Sequence, residues 1–331
     1  MILQMERGEG GNRRTPHGER RRGNQTSITE FILLGFGNLP ELQIVFFLLF
    51  LVIYVVTMAV NILIAALAVT DHRLHTPMYF FLVNLSCLEI CYTSTILPRM
   101  LASFITEDRT ISVTGCMVQF FWFGFLATAE CYMLAVMSYD RYLAICKPLH
   151  YTTHMDGRLC MQLAAGSWLS SFISLSILVS CMSQLAFCGP NEIDHFFCDL
   201  TPVVNLSCSD TNLVIMTTLI LSSINVVLPF LLTLASYVFI ISTILRIPST
   251  TGKQKAFSTC SSHLIVVTIF YGTLITVYML PNSSELTAPN KVFSFFYTIL
   301  TPLINPLIYS LRNKEVKEAM RRALPKCRVF P

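Results

Sequence analysis

Charge is scarce in this chain of 331 residues, where Asp, Glu, Lys and Arg make up 13% against 53% hydrophobic residues. A soluble domain carries about a quarter charged residues. The deficit excludes an ordinary soluble enzyme and fits a chain solvated mainly by lipid. Catalytic signatures are missing too, with no HExxH, no P-loop and no GxSxG. No internal repeat is visible, which weighs against inverted-repeat transporters. The N-terminal segment lacks the apolar core of a cleavable leader, FILLGF (31–36) being too short.

What the chain does have is long apolar runs. Seven spans are read at Gln43–Val69, Met78–Leu97, Met117–Ser138, Leu159–Phe187, Leu213–Leu245, Leu264–Leu280 and Val292–Leu311. Each reaches roughly the 17 to 25 residues that cross a bilayer as a helix. Backbone groups in lipid must be satisfied within the segment, so the expected fold is an all-α membrane protein, a seven-transmembrane-helix bundle. Pro98, Pro229, Pro302 and Pro306 are expected to kink helices rather than end them. KQKAFSTCSSH, before the shortest span, can continue that helix beyond the membrane.

Lysine and arginine set the orientation. One side of the membrane receives Arg73, Arg141, Lys147, Arg158, Arg246, Lys253 and Lys255, and the tail adds Arg312, Lys314, Lys317, Arg321, Arg322, Lys326 and Arg328. The opposite loops hold only Arg99, Arg109 and Lys291. The N-terminus is therefore expected outside and the C-terminus inside. Residues 1–40 read as an extracellular, disordered segment, 41–311 as the seven-helix domain, and 312–331 as a cytoplasmic amphipathic helix and tail. Six arginines between Arg7 and Arg22 stand against the charge rule, but most lie near the limit of its reach.

Cys116, Cys188, Cys198 and Cys208 fall on the outer, oxidising side, where four thiols allow three pairings that composition does not resolve. Cys327 lies in a basic tail near the membrane, where palmitate is an option. Asn24-Gln25-Thr26 is a glycan acceptor on the outer segment, whereas Asn84-Leu85-Ser86 lies inside a span.

The stretch MSYDRYLAIC (137–146) sets Asp140 and Arg141 side by side at the end of the third span. The bland reading is an arginine snorkelling to the interface. With Tyr142 after the pair and Asn305-Pro306-Leu307-Ile308-Tyr309 closing the seventh span, the chain resembles the rhodopsin-like G-protein-coupled receptors. HTPMYFFLVNLS (75–86), MSYDRYLAICKPLHY (137–151), KAFSTCSSHL (255–264), NPLIYSLRNKEV (305–316), FILLGF (31–36) and HFFCD (195–199) narrow the resemblance to the odorant receptor family. The resemblance implies that Asp140 restrains Arg141 at rest, that Arg141 is released towards a G-protein, and that Tyr237 and Tyr309 turn in to hold the open state. It also implies disulfides Cys116–Cys198 and Cys188–Cys208. His195, Cys198 and Asp199 have ligand-like spacing, but a disulfide sulfur is a poor metal ligand, so no metal is expected there.

Glu89 and Glu130 lie in the middle of spans two and three. Two carboxylates at similar depth cannot both face lipid, and their approach calls for a raised pKa or a cation between them. The resemblance places an ion site here, for a sodium ion or a proton, although aspartate is usual at the first position. A structural alternative bonds one protonated glutamate to Asn61 or Asn305. Val60 stands before Asn61 where the family usually has glycine, a departure that alters helix packing.

On span three, Phe123, Ala127, Glu130, Leu134 and Arg141 recur at near-helical spacing and form one inward stripe. Its outer end is the natural floor of a ligand cavity. Phe123, Gly124, Ala127 and Thr128 match pocket positions of the family, as do Leu178, Ser222, Asn225, Tyr271, Leu274 and Tyr278. No acidic residue stands where amine receptors place one, at Phe123, and a charge would be costly to bury unpaired. Phe270-Tyr271-Gly272 replaces the Cys-Trp-x-Pro of other rhodopsin-like receptors.

The expected protein is thus a receptor, not an enzyme, for a small neutral and mostly apolar volatile held between helices three, five and six. The resemblance implies a stimulatory olfactory-type G-protein, a rise in cyclic AMP, and a plasma membrane location in olfactory cilia. No cofactor is expected beyond the sodium ion or proton. The rival reading is a cation channel or transporter using Glu89 and Glu130.

Overall fold

A computed structural model describes residues 28–37, 40–246, 248–279, 287–312 and 314–323. The candidate glycan site Asn24, Cys327, and the side chains of Tyr278 and Tyr309 lie outside the described residues.

Six helices are long and apolar enough to cross a membrane, and a shorter apolar stretch, His263–Thr276, lies within a further long helix. In chain order they are α1 (Gln43–Thr70), α2 (Pro77–Thr106), α3 (Val113–Cys146), α4 (Gly157–Met182), α5 (Asn212–Arg246), α6 (Thr250–Met279) and α7 (287–312). The chain is a seven-helix membrane bundle. Its most apolar stretches are 61% buried in α3 and 28% in α1, so α3 is the central helix and α1 faces lipid. Ile44, Val52 and Val69 of α1 point outward, as expected of a helix whose solvent is hydrocarbon.

Several helix ends differ from the spans read in the sequence, and α3 runs on past Ser138 to Cys146, so that Asp140 and Arg141 lie within the helix. α2 runs past Pro98 to Thr106, because Met100 and Leu101 beyond the proline are buried. α4 stops at Met182, before Phe187, whose ring turns out of line to meet Phe31 edge-to-face at 5.1 Å. As expected, α6 begins well before its apolar stretch. Single π-helical turns interrupt α5 at Ser223–Val227 and α7 at Phe296–Leu300. Such turns rotate the residues after them and cluster at functional sites.

The outer face carries a small sheet in the order β2-β1-β3, with β1 at Glu30–Leu33, β2 at Thr110–Ser112 and β3 at Glu192–Ile193. β1 runs antiparallel to β2 (Phe31 opposite Ile111) and parallel to β3 (Ile32 opposite Glu192). Part of the N-terminal segment expected to be disordered is therefore a paired strand, buried through Phe31. Gly35 and Gly37, at φ of 62° and 97°, turn the chain from this strand towards α1.

On the inner face, α8 (Lys314–Ala323) lies after α7. Val316 and Ala319 are buried while Lys317 and Arg321 are exposed, so the helix is amphipathic. It is tied to its neighbours by Tyr79, whose hydroxyl donates to Glu315 Oε2 at 2.7 Å, and by Arg322, which donates to Asp71 Oδ2 at 2.6 Å. The Arg322 guanidinium holds the Asp71 carboxyl below the usual range.

Candidate functional site

At the inner end of α3 the Asp140 side chain is fully buried, and its two oxygens have different partners. Arg141 donates to Oδ2 from Nε at 3.2 Å and from Nη2 at 2.9 Å. Tyr151, in a short helix after α3 (Tyr151–His154), donates to Oδ1 at 2.7 Å. Tyr142 is half-buried, with its ring 5.9 Å from Phe239 of α5. Tyr237 of α5 is buried and hydrogen-bonded to His263 of α6, joining the two helices next to the arginine.

Midway through the bundle, Asn305 sits between the two carboxylates. Its Nδ2 donates to Glu89 Oε1 at 2.7 Å and to Glu130 Oε1 at 3.1 Å, and all three side chains are buried. Pro306 follows inside α7. Asn61 donates to backbone carbonyls, that of Thr57 at 3.0 Å and that of Pro302 at 3.4 Å.

Outside, Cys116 is bonded to Cys198 and Cys188 to Cys208. The first bond pulls the loop after α4 down onto the bundle. Gln119 secures it, accepting from the Cys198 amide at 3.0 Å and donating to the Thr95 carbonyl at 3.1 Å. His195, Phe196, Phe197 and Asp199 are consequently buried. Burial pushes the His195 imidazole down to about 3, helped by the nearby Lys291 charge. His195 Nδ1 accepts from the Phe197 amide at 3.4 Å, and Asp199 caps the short helix Leu200–Asn205 through the Leu200 amide. With Cys198 in a disulfide, its sulfur is not free to join His195 and Asp199 around a metal.

The residues expected to form the ligand cavity are distributed unevenly. Phe123 is buried against Tyr92 of α2 (5.3 Å between centroids), Phe197 of the loop (4.6 Å) and Tyr297 of α7 (6.0 Å). Gly124 faces α4, where an added Cβ would meet Leu175 Cδ1 at 2.6 Å. Ala127, Leu178 and Leu274 are buried, and Thr128 is half-buried. Ser222 donates back to the Thr218 carbonyl of its own helix at 2.7 Å. Asn225 Oδ1 accepts from Tyr132 at 2.7 Å and Ser174 at 3.3 Å, and Tyr271 donates to the Cys131 carbonyl at 2.7 Å. Asn225 and Tyr271 thereby already hold α3, α4, α5 and α6 together, while the Ser222 hydroxyl is spent within its own helix.

Comparison with known proteins is decisive on family. The olfactory receptor family model matches residues 50–327. Among the similar proteins, human Olfactory receptor 11A1 is 53% identical over 302 residues, 91% of this chain and 95% of that protein. Human Olfactory receptor 6N1 is 48% identical over 91% of this chain and 97% of its own length. Mouse Olfactory receptor 5AP2 is likewise 48% identical, over 91% and 95%. The chain belongs to the olfactory receptor family. It is a multi-pass membrane receptor rather than an enzyme, and its family implies odorant ligands and G-protein partners.

Four residues of this olfactory receptor escaped the sequence reading, three of them inside motifs that were in view. Tyr151 closes MSYDRYLAICKPLHY, His263 lies in KAFSTCSSHL and Phe197 in HFFCD, while Tyr92 follows Glu89 by three positions. Motif spacing locates such residues along the chain. Their partners come from other helices, and spacing carries no signal for those.

Proposed function

We propose that this receptor binds a small, neutral, mostly apolar volatile in the outer half of the bundle, next to Phe123, and that binding activates a stimulatory G-protein and raises cyclic AMP. The observation that supports the ligand class is the chemistry of the expected pocket residues: Phe123, Ala127, Leu178 and Leu274 are buried and apolar, and Tyr271 is aromatic. A small site of this kind gives most of its affinity through apolar contact and fixes orientation with a few polar groups. Binding favours the state in which α6 moves outward and Arg141 leaves Asp140 for the G-protein. The buried Asp140–Arg141 pair and the Tyr237–His263 bond between α5 and α6 support this reading.

The Glu89–Asn305–Glu130 cluster acts in the same proposal as the site of a sodium ion or shared proton. One amide nitrogen donates to both carboxylates, and two buried negative charges this close call for a compensating cation. The receptor works at the plasma membrane, in olfactory cilia where the tissue is the nose.

The test is cyclic AMP in cells expressing the full chain, challenged with neutral and charged volatiles. Neutral compounds should raise it, and Arg141→Ala should keep surface expression while losing the response. A response retained in Arg141→Ala would refute the role of Arg141. Ion current or flux without a G-protein would replace the receptor mechanism with conduction through the Glu89–Glu130 region.

A further inference from the structure

A buried hydroxyl without a partner has given up water and received nothing for it, so such groups in a native fold call for an explanation. Among the described residues, the Tyr92 hydroxyl of α2 and the Ser294 hydroxyl of α7 have no hydrogen-bond partner, although each residue is only 1% exposed. Tyr92 lies one turn outward of Glu89, with its ring against Phe123. Ser294 lies one turn outward of Tyr297, whose ring also meets Phe123, on the buried stripe that continues through Thr298, Thr301 and Asn305. Phe197 covers Phe123 from the loop. These two hydroxyls thus belong to one side of the outer bundle, bounded by α2, α3 and α7, while a third buried hydroxyl without a partner, that of Thr57, lies on α1 one turn before Asn61. On the opposite side, Ser222, Asn225 and Tyr271 are satisfied within the protein.

We propose that the polar end of the ligand is anchored on the α2–α3–α7 side, by the Tyr92 hydroxyl with Ser294 as a second donor, and that the preferred ligands carry an acceptor oxygen, such as a carbonyl. The inference rests on the receptor reading for its site and goes beyond it in placing the anchor and naming the class. A carbonyl oxygen has two lone pairs and accepts from one hydroxyl or both, and it brings no donor of its own. An alcohol oxygen can likewise accept from one hydroxyl, and it can donate its own proton to a lone pair of the other. A hydrocarbon leaves both hydroxyls as they are. The aliphatic part of a ketone, aldehyde or ester then lies against the rings of Phe123, Phe197 and Tyr297.

The experiment is thermal unfolding of the purified full chain in detergent, with and without 2-octanone, or 2-methyl-1-octene, which replaces the carbonyl oxygen with a methylene of similar shape. A ligand that binds only the folded state raises the midpoint in proportion to its affinity, whether or not it signals. The ketone should bind about two- to tenfold tighter than the alkene, the worth of one hydrogen bond. Tyr92→Phe should abolish that preference and leave the midpoint of the empty receptor unchanged, and Ser294→Ala should reduce the preference. Tyr271→Phe, which removes a bond to the Cys131 carbonyl, should lower the midpoint of the empty receptor. Equal binding of the two compounds, a ketone preference that survives Tyr92→Phe, or an empty Tyr92→Phe receptor that unfolds earlier would each overturn the proposal. Ketone binding through Tyr92 without any cyclic AMP response would instead count against the receptor mechanism and leave the anchor standing. Cyclic AMP responses to ketones unchanged by Tyr92→Phe would remove the anchor and leave the receptor.

Discussion

Tyr151 holds one oxygen of the buried Asp140 carboxylate at 2.7 Å, while Arg141 holds the other at 2.9 Å. The two partners have different fates in the proposed mechanism. Arg141 leaves for the G-protein, whereas Tyr151 sits on the loop beyond α3 and is free to stay. In the released state Tyr151 would be the donor that keeps Asp140 from being a buried charge with no partner, a condition that costs several kcal/mol.

Tyr151→Phe should therefore penalise the released state more than the resting one. An unmet hydrogen bond to a charged group is worth about 1.5–3 kcal/mol, so agonist potency should fall by roughly ten- to a hundredfold at unchanged surface expression. Asp140→Asn removes the restraint on Arg141 and should raise basal cyclic AMP. Concentration–response curves for both variants check the pair, and a Tyr151→Phe receptor of normal potency would take Tyr151 out of the mechanism.

The Glu89–Asn305–Glu130 cluster should make the receptor sensitive to sodium. Replacing sodium by N-methylglucamine at constant ionic strength should lower the unfolding midpoint of the unliganded receptor, and Glu89→Gln or Glu130→Gln should abolish that dependence. If a shared proton occupies the site instead, the midpoint will be indifferent to sodium and will respond to pH, and the two glutamine variants will lose the pH response.

The seven helices were legible because a bilayer imposes a length and a composition, and spans such as Gln43–Val69 satisfy both. Their ends were less so. The apolar run of the second span ended at Leu97, but α2 passes through Pro98, and burial of Met100 and Leu101 carries it on to Thr106. Phe187 looked like part of a span, yet its ring packs on a strand that begins far away in sequence, at Glu30. Ligand positions were legible as places along helices but not as open or committed groups. Asn225 belongs to a π-helical turn and accepts from Tyr132 and Ser174, two partners that no spacing rule connects to it. Gly124 was read as a pocket residue, and its lack of a side chain turns out to accommodate Leu175.

That contact predicts a rescue. Gly124→Val pushes a branched side chain into the space of Leu175, and overpacking of this kind costs about 1–3 kcal/mol. The variant should unfold at a lower temperature, and adding Leu175→Ala should recover a large part of the loss. If Gly124 served only the ligand, the single variant would keep its stability and the second substitution would only weaken it further.

His195 makes the outer loop sensitive to acid. Its imidazole is buried and neutral, with its pKa pushed down to about 3 by burial and the Lys291 charge, whereas in the unfolded chain it titrates near 6.5. Between these values the unfolded chain binds a proton that the folded loop does not, so stability increases with pH in this window. The contribution is fully present above about pH 6.5 and is lost progressively as the pH falls towards 3. Going from pH 7 to pH 5 should cost about 2 kcal/mol of loop stability. Hydrogen exchange across residues 192–199 should therefore speed up at pH 5 once the intrinsic pH effect is removed, and His195→Gln should flatten the dependence. Protection that stays constant down to pH 5 would mean that His195 accepts its proton without leaving its place beside Phe196 and Phe197.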